Sequence, residues 1–362
     1  MSDHTRNGSH EKSEIISAED CILVTGAGGF IGSRVLKRLL ERGFRNIRCF
    51  VRPSGNHEKI SALAKDFAGR AKVEIVRGNL LSRDDCATAV KDVSLIYHLA
   101  AGRGEKLVPD AFMNSVVTTR NLMEACGKAG SVRRFVSVSS FSVYSNRNKP
   151  GGRLLDERCP LESTPQKSGD AYTYAKVRQD ELVMEMSAKW KIPYVIVRPG
   201  VVYGPGNEAV LGRVGIGTFG IFLHLGGGNA IPLTYVDNCA EAIILAGLKS
   251  GVDGEVFNVV DDEPPSSREF LSLYKRNVRT FRSIYLPHAI SYALCFLWEK
   301  YSEWSEGQLP MTYGRRAWHA YWKRTRYTNA RLKERLGWTP LVPRSQAFAL
   351  FFESCRRKAA RA

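Results

Sequence analysis

No stretch of this chain of 362 residues reaches the roughly 18 consecutive apolar residues that a bilayer-spanning helix needs, so an α-helical membrane-spanning protein is not expected. The chain has no CxxC pair and no cluster of ligands at metal-binding spacing. Its eight cysteines stand singly from Cys21 to Cys355, which argues against a disulfide framework or a metal centre and for a reduced, cytoplasmic setting. The N-terminus from Met1 to Asp20 lacks the apolar core of a secretory signal, and residues 1–19 are expected to form a disordered leader. There is no internal repeat and no recognisable nucleic-acid module. Acidic residues are scarce: 53 Lys and Arg face 36 Asp and Glu, a net charge of +17. From Lys275 to the end the imbalance is 18 against 5. Such a surplus reads first as a solvated basic surface, and second as contact with an anionic membrane or an acidic substrate. What remains, 44% hydrophobic and 25% charged residues, is the composition of a globular protein, long enough for one large α/β domain with a smaller appendage.

Short β-branched runs alternate with helical segments, the pattern of a parallel sheet flanked by helices. Strands are expected at Cys21–Thr25, Ile47–Val51, Val73–Val76, Val93–Leu99, Phe135–Ser139 and Tyr194–Val197. Helical spacing fills Ser33–Arg42, Ala111–Ala129 and Tyr172–Lys189. The outline is a doubly wound, Rossmann-type α/β fold. Residues 20–200 form the expected dinucleotide-binding core. Residues 201–362 form mainly a smaller, substrate-covering lobe, interleaved with the core through a strand near 256–260.

The first strand runs into Gly26-Ala27-Gly28-Gly29-Phe30-Ile31-Gly32. A strand, a tight glycine turn and a helix N-terminus together make an anion site from backbone N–H groups and the helix dipole. The spacing is Gly26-x-x-Gly29-x-x-Gly32, not GxGxxG, and the position at the first β–α junction gives it its weight. At the end of the second strand, where an NAD site wants an acid for the ribose hydroxyls, the chain has Arg52-Pro53-Ser54. Arg52 is either a surface arginine or the partner of a 2′-phosphate, which favours NADP over NAD.

Tyr172 and Lys176 lie four residues apart and so share one helix face. A phenol is a poor base at neutral pH, and a neighbouring ammonium favours its phenolate. Tyr174 is a rival phenol without a lysine four residues on. Upstream, Ser137-Val138-Ser139-Ser140 closes the fifth strand, at the sheet edge where ligands bind. A hydroxyl there can hydrogen-bond a reacting oxygen, and Ser139 and Ser140 face opposite sides.

With glycine loop, serine strand end and YxxxK in that order, residues 20 to 345 resemble the extended short-chain dehydrogenase/reductase family, the NAD-dependent epimerase/dehydratases. The likeness extends to Leu99-Ala100-Ala101, Asn114 opening the next helix, Arg198-Pro199-Gly200-Val201-Val202-Tyr203-Gly204, Tyr235-Val236-Asp237-Asn238 and Leu336-Gly337-Trp338. The resemblance implies catalytic roles for Ser140, Tyr172, Lys176 and Asn114. It implies cofactor contacts at Gly26, Gly28, Gly29, Phe30, Ile31, Gly32, Arg52, Asn79, Leu80, Leu99, Ala100, Ala101, Tyr172, Lys176, Pro199 and Val202, with Asn79-Leu80 standing where the family usually has Asp-Leu. A homodimer follows by the same analogy, and no metal is expected.

Three branches of the family compete. Dehydratases look to need an acid pair just after the serine, and Phe141-Ser142 stands there. Sugar-nucleotide epimerases usually carry a diphosphate-gripping arginine where this chain has Ile231. Hydroxysteroid dehydrogenases and reductases of lipid-like ketones fit these departures best. The expected function is therefore hydride transfer on a bulky, apolar secondary alcohol or ketone. The alternatives are a sugar-nucleotide epimerase and a non-catalytic cofactor sensor. In the tail, Leu286, Ile290, Ala293, Leu294, Leu297 and Trp298 form an apolar face suited to a bilayer surface or a hydrophobic pocket, with packing on the protein's own core expected first. The basic, aromatic stretch Arg315 to Tyr327 is the candidate for peripheral contact with lipid headgroups. His98 and His224 are expected to be structural.

Overall fold

The computed structural model describes residues 14–55, 57–102, 107–145, 151–165, 170–305 and 314–360. Seven strands build the main sheet: β1 Cys21–Thr25, β2 Asn46–Val51, β3 Lys72–Arg77, β4 Val93–His98, β5 Arg134–Val138, β6 Tyr194–Pro199 and β7 Val256–Val259. All pairs are parallel, in the order β3-β2-β1-β4-β5-β6-β7. The central strands are covered on both faces, which is why they read as near-continuous apolar runs, while the edge strand β3 is only partly buried and carries Lys72, Glu74 and Arg77. Ile22 and Val24 point into one layer with the helices Gly32–Glu41 and Val236–Leu248, and Leu23 points into the other. That second layer holds the helices Arg83–Val90, Thr118–Ala129 and Ala171–Trp190. The strand order reverses between β1 and β4, so a crevice opens outside their C-terminal ends.

After β6 the chain forms a second body of smaller elements. A three-stranded sheet joins Gly215–Thr218, Ile221–His224 and Ser283–Tyr285. The helices Ser267–Asn277 and Arg344–Ala359 meet through Phe270, Phe348, Phe351 and Phe352. The two bodies are laced together: β7 completes the main sheet, and Leu332, Leu336 and Trp338 return to the main core.

Two expectations need correction. The segment from Glu14 is folded, with Ile16 buried and the Ile15 N–H donating to Leu248 O at 2.9 Å; residues 1–13 of the expected leader lie outside the described residues. In the helix His288–Trp304 it is Ser291, Cys295 and Ser302 that are buried, whereas Ile290, Leu294 and Leu297 are exposed. Within Arg315 to Tyr327, Trp318, Trp322, Lys323 and Thr325 are buried, whereas Arg324 and Arg326 are exposed.

Candidate active site

Thr25 ends β1, and the chain turns at Gly26 with φ +71°. A Cβ at Gly26 would stand 3.0 Å from Ala100 N, and one at Gly32 only 2.1 Å from Gly26 O. Glycine is therefore required at both, once for the left-handed turn and once for the close approach of helix to loop. The helix Gly32–Glu41 begins with no side-chain cap and no acid in its first turn. A helix start of this kind, set in the crevice between β1 and β4, suits an anionic group and fits a dinucleotide pyrophosphate. Gly28, Gly29, Phe30 and Ile31 are at least partly open to solvent, while Gly32 is buried.

On the other side of the crevice, Asp170 caps the helix Ala171–Trp190. Its carboxylate accepts from the Tyr172 N–H at 3.1 Å and from the Thr173 hydroxyl at 2.6 Å. This cap fixes the first turn, so Tyr172 sits half-buried at the helix start with Lys176 one turn below. Lys176 is buried and donates to Val138 O at 2.7 Å and Gln179 Oε1 at 2.9 Å. Val138 is the last residue of β5, so the lysine is pinned two residues before Ser140. Burial, opposed by the charge of Asp180, draws the Lys176 ammonium down to about 8. A lysine so placed changes its charge within the range where enzymes work.

Ser140 is half-buried at the strand end, and its hydroxyl accepts from the Ser142 N–H at 3.2 Å. Ser139 is buried, with its N–H on Val197 O and its hydroxyl toward Asp180. The two serines thus face opposite ways. Asn114 does not open a helix. It lies inside a π-helical turn, Met113–Val117, between the α-helical segments Val108–Phe112 and Thr118–Ala129. Such a turn carries one extra residue and re-aims side chains, and it is frequent at functional sites. Ser115 in this turn accepts from the Gly102 N–H at 3.0 Å, tying it to the segment that follows β4.

The remaining cofactor candidates line the C-terminal ends of the strands. Arg52 is exposed just beyond β2. Asn79 and Leu80 follow β3, where Asn121 donates from Nδ2 to Leu80 O and Leu81 O, both at 3.0 Å. Leu99, Ala100 and Ala101 follow β4 and are half-buried; Pro199 closes β6, and the Val202 carbonyl accepts from Asn207 at 2.7 Å.

Sequence reading missed two buried polar systems behind these residues. In the first, Thr25 at the glycine loop bonds His98 Nδ1 at 2.8 Å, and His98 Nε2 bonds Thr119 at 2.9 Å. Thr119 also accepts from Gln179 at 2.8 Å, and Gln179 holds Lys176. A continuous chain thus joins the anion loop to the lysine. In the second, Asp180 is fully buried one turn after Lys176 and accepts from Arg198 Nε at 3.0 Å. Arg198 also donates to the Tyr144 hydroxyl at 3.0 Å, which donates to Asn258 at 2.7 Å. Burial raises the Asp180 carboxyl against the pull of Arg198. His224 bonds the Ser267 hydroxyl at 3.0 Å. No group of three or more potential metal ligands occurs among the described residues.

Phe141, where a dehydratase would place an acid, stacks on Tyr327 with ring centroids 5.8 Å apart. Ile231, where an epimerase would place its arginine, is buried in an apolar cluster.

A doubly wound sheet with this loop and this helix belongs to an enzyme of the extended short-chain dehydrogenase/reductase class, dependent on a nicotinamide dinucleotide. The chain is a member of the NAD dependent epimerase/dehydratase family, whose model matches residues 22–259. It is 30% identical over 267 residues to a 3-beta-hydroxysteroid dehydrogenase of Mycolicibacterium neoaurum, covering 69% of this chain and 68% of that one. It is 26% identical over 305 residues to the decarboxylating sterol-4-alpha-carboxylate 3-dehydrogenase of Mus musculus, covering 80% and 77%. In fold it matches the UDP-glucuronic acid 4-epimerase of Bacillus cereus in complex with NAD, with TM-score 0.67 and 21% identity over 93% of this chain and 99% of that one.

Proposed function

We propose that the enzyme transfers hydride between NADP(H), in preference to NAD(H), and a secondary alcohol or ketone on a bulky, apolar, steroid- or lipid-like substrate. The observation that carries this reading is Lys176: buried, pinned to the end of β5, its ammonium drawn down to about 8 by burial, and one turn below Tyr172. In this reading Tyr172 exchanges the proton with the substrate oxygen and Ser140 hydrogen-bonds that oxygen. Lys176 favours the phenolate and holds the nicotinamide ribose, while Asn114 completes the site from its π-turn. The nicotinamide, when bound, supplies or accepts the hydride. The glycine loop with Phe30 and Ile31 holds the pyrophosphate, Arg52 the 2′-phosphate, and Asn79, Leu80, Leu99, Ala100, Ala101, Pro199 and Val202 line the dinucleotide. Phe141 stacked on Tyr327 and the buried Ile231 support an apolar ligand over a sugar diphosphate, in line with what the two steroid-named relatives act on.

The test is titration of the purified protein with NADPH and NADH, followed by turnover with ketosteroids and keto-lipids. The expected result is preference for NADPH, lost in Arg52→Ala by about tenfold or more, and a net change in nicotinamide absorbance. Retained NAD⁺ and turnover of a UDP-sugar without net absorbance change would replace this reading with epimerisation. Cofactor binding with biological activity untouched by Tyr172→Phe would replace it with a sensor.

A further inference from the structure

The helix His288–Trp304 is built inside out. Its buried residues are Ser291, Cys295 and Ser302, while Ile290, Leu294, Leu297, Tyr301 and Trp304 are 48–77% exposed. Their spacing alternates four and three residues, which stacks all five into one row along a single helix face. Among the described residues nothing is packed over this row. Large aliphatic and aromatic side chains left to water along a whole helix mark a surface that meets another phase or molecule.

A second apolar feature points the same way. The strand Ser283–Tyr285 leads directly into this helix, and Ile284 and Tyr285 on it are themselves exposed. Its sheet neighbour Ile221–His224 forms a hairpin with Gly215–Thr218, and the tip of that hairpin is Phe219, fully exposed at φ +45°. A phenylalanine gains nothing from water there and carries backbone strain as well.

The charge beside these features selects the partner. Between Glu269 and Glu299 the chain has no acid and four cations, Lys275, Arg276, Arg279 and Arg282, and the helix's own acids are paired, Glu299 with Arg315 and Glu303 with Lys300. Arg276, Arg279 and Arg282 are exposed, and Arg282 O accepts from the Phe222 N–H, three residues from the hairpin tip. The chain as a whole is at +17, so a second copy would bring like charge to this surface. Among the described residues no helix is long and apolar enough to cross a membrane.

We infer that the row on His288–Trp304, together with the Phe219 tip and its flanking arginines, docks the enzyme in the plane of an anionic bilayer. The aliphatic row enters the acyl boundary, Tyr301 and Trp304 lie at headgroup level, and the arginines meet anionic headgroups. The docking involves none of the residues assigned to the cofactor or to proton transfer, so it stands or falls apart from the proposed chemistry.

The test is co-sedimentation of the full chain with vesicles of phosphatidylcholine alone and of phosphatidylcholine with a minority of phosphatidylserine. Binding to the second kind, weakened by salt, is expected. The double variant Leu294→Ser, Leu297→Ser should lose at least about tenfold in partitioning. Arg279→Gln with Arg282→Gln should lose about 30-fold on anionic vesicles. Both replace exposed side chains, and an unchanged melting temperature and NADPH affinity show that the fold is kept. Absence of vesicle binding by the parent chain, or undiminished binding by the serine variant, overturns the inference. So does a concentration-dependent dimer in sedimentation velocity that the serine variant abolishes, since the row would then be an interface between copies.

Discussion

Acidification should weaken the fold through His98, and its surroundings set the size of the effect. Thr119 donates its hydroxyl proton to Ser115 O at 2.6 Å and accepts from Gln179 at 2.8 Å. The imidazole must therefore donate to Thr119 from Nε2 and accept at Nδ1 from Thr25, which is the neutral form. Burial, with the charge of Lys176 added, draws the ring from 6.5 to about 3. A folded value below the unfolded one means that the unfolded chain takes up the proton first. Stability from this group is complete above about pH 6.5 and drains away as pH falls toward about 3. At about pH 4.5 the loss is about 2 pH units at about 1.36 kcal/mol each, or about 2.7 kcal/mol. The figure does not depend on the folded value so long as that lies well below the working pH. His98→Gln keeps a donor and an acceptor but cannot titrate. Urea unfolding near pH 7 and at about pH 4.5 should show the parent losing about 2.7 kcal/mol more than the variant, the carboxylates common to both cancelling. Equal losses in the two proteins would refute a buried neutral His98.

Tyr172→Phe should lower kcat by about 10²–10⁴-fold while leaving NADPH affinity within about twofold, measured by steady-state kinetics and fluorescence titration. Gly32→Ala forces a Cβ to within 2.1 Å of Gly26 O; it should weaken nucleotide binding and lower stability by about 1–3 kcal/mol, read by titration and urea unfolding. Asp180→Asn leaves Arg198 and Lys176 buried without their carboxylate and should cost about 3–5 kcal/mol in stability. Because Asp180 is what holds the Lys176 pKa up against burial, the alkaline limb of the kcat/KM profile should move to lower pH in that variant, and an unmoved limb would separate Asp180 from the lysine.

The main sheet was legible because its central strands are short, mostly apolar and β-branched runs bounded by polar or glycine-rich turns, as strands buried on both faces are, while the edge strand β3 still reads through Val73, Ile75 and Val76 between Lys72, Glu74 and Arg77. Cys21–Thr25 and Tyr194–Pro199 are where the run begins in the sequence, and the ends differ by a residue or two where the last ladder bond happens to fall. The glycine loop and the Tyr172–Lys176 spacing were legible for a related reason: both are local, set by residues within seven positions of one another. The polar systems behind them are not local. Thr25 and His98 are 73 residues apart, His98 and Thr119 21, Gln179 and Thr119 60. Two threonines, a histidine and a glutamine on four separate elements carry no pattern until the sheet brings the elements together. Asn114 shows the same limit on a smaller scale, since the extra residue of a π-turn leaves no mark in helical periodicity.

The helix His288–Trp304 failed for a different reason. Period 3.6 shows that a face is apolar; it does not show which way that face looks. Over its first half the inward side holds Ser291 and Cys295 because what it meets is already bulky. Trp318 and Trp322, from the segment that follows, fill that space with Cys295 and Leu225, and the Trp318 indole N–H donates to Ser291 Oγ at 2.9 Å. An indole against a helix needs small residues opposite it and a hydroxyl for its N–H. Those two tryptophans therefore decide, from outside the helix, that its small face turns inward and its apolar row outward. Replacing Ser291 by leucine would crowd the indole, remove its acceptor and work against the contact that turns the small face inward.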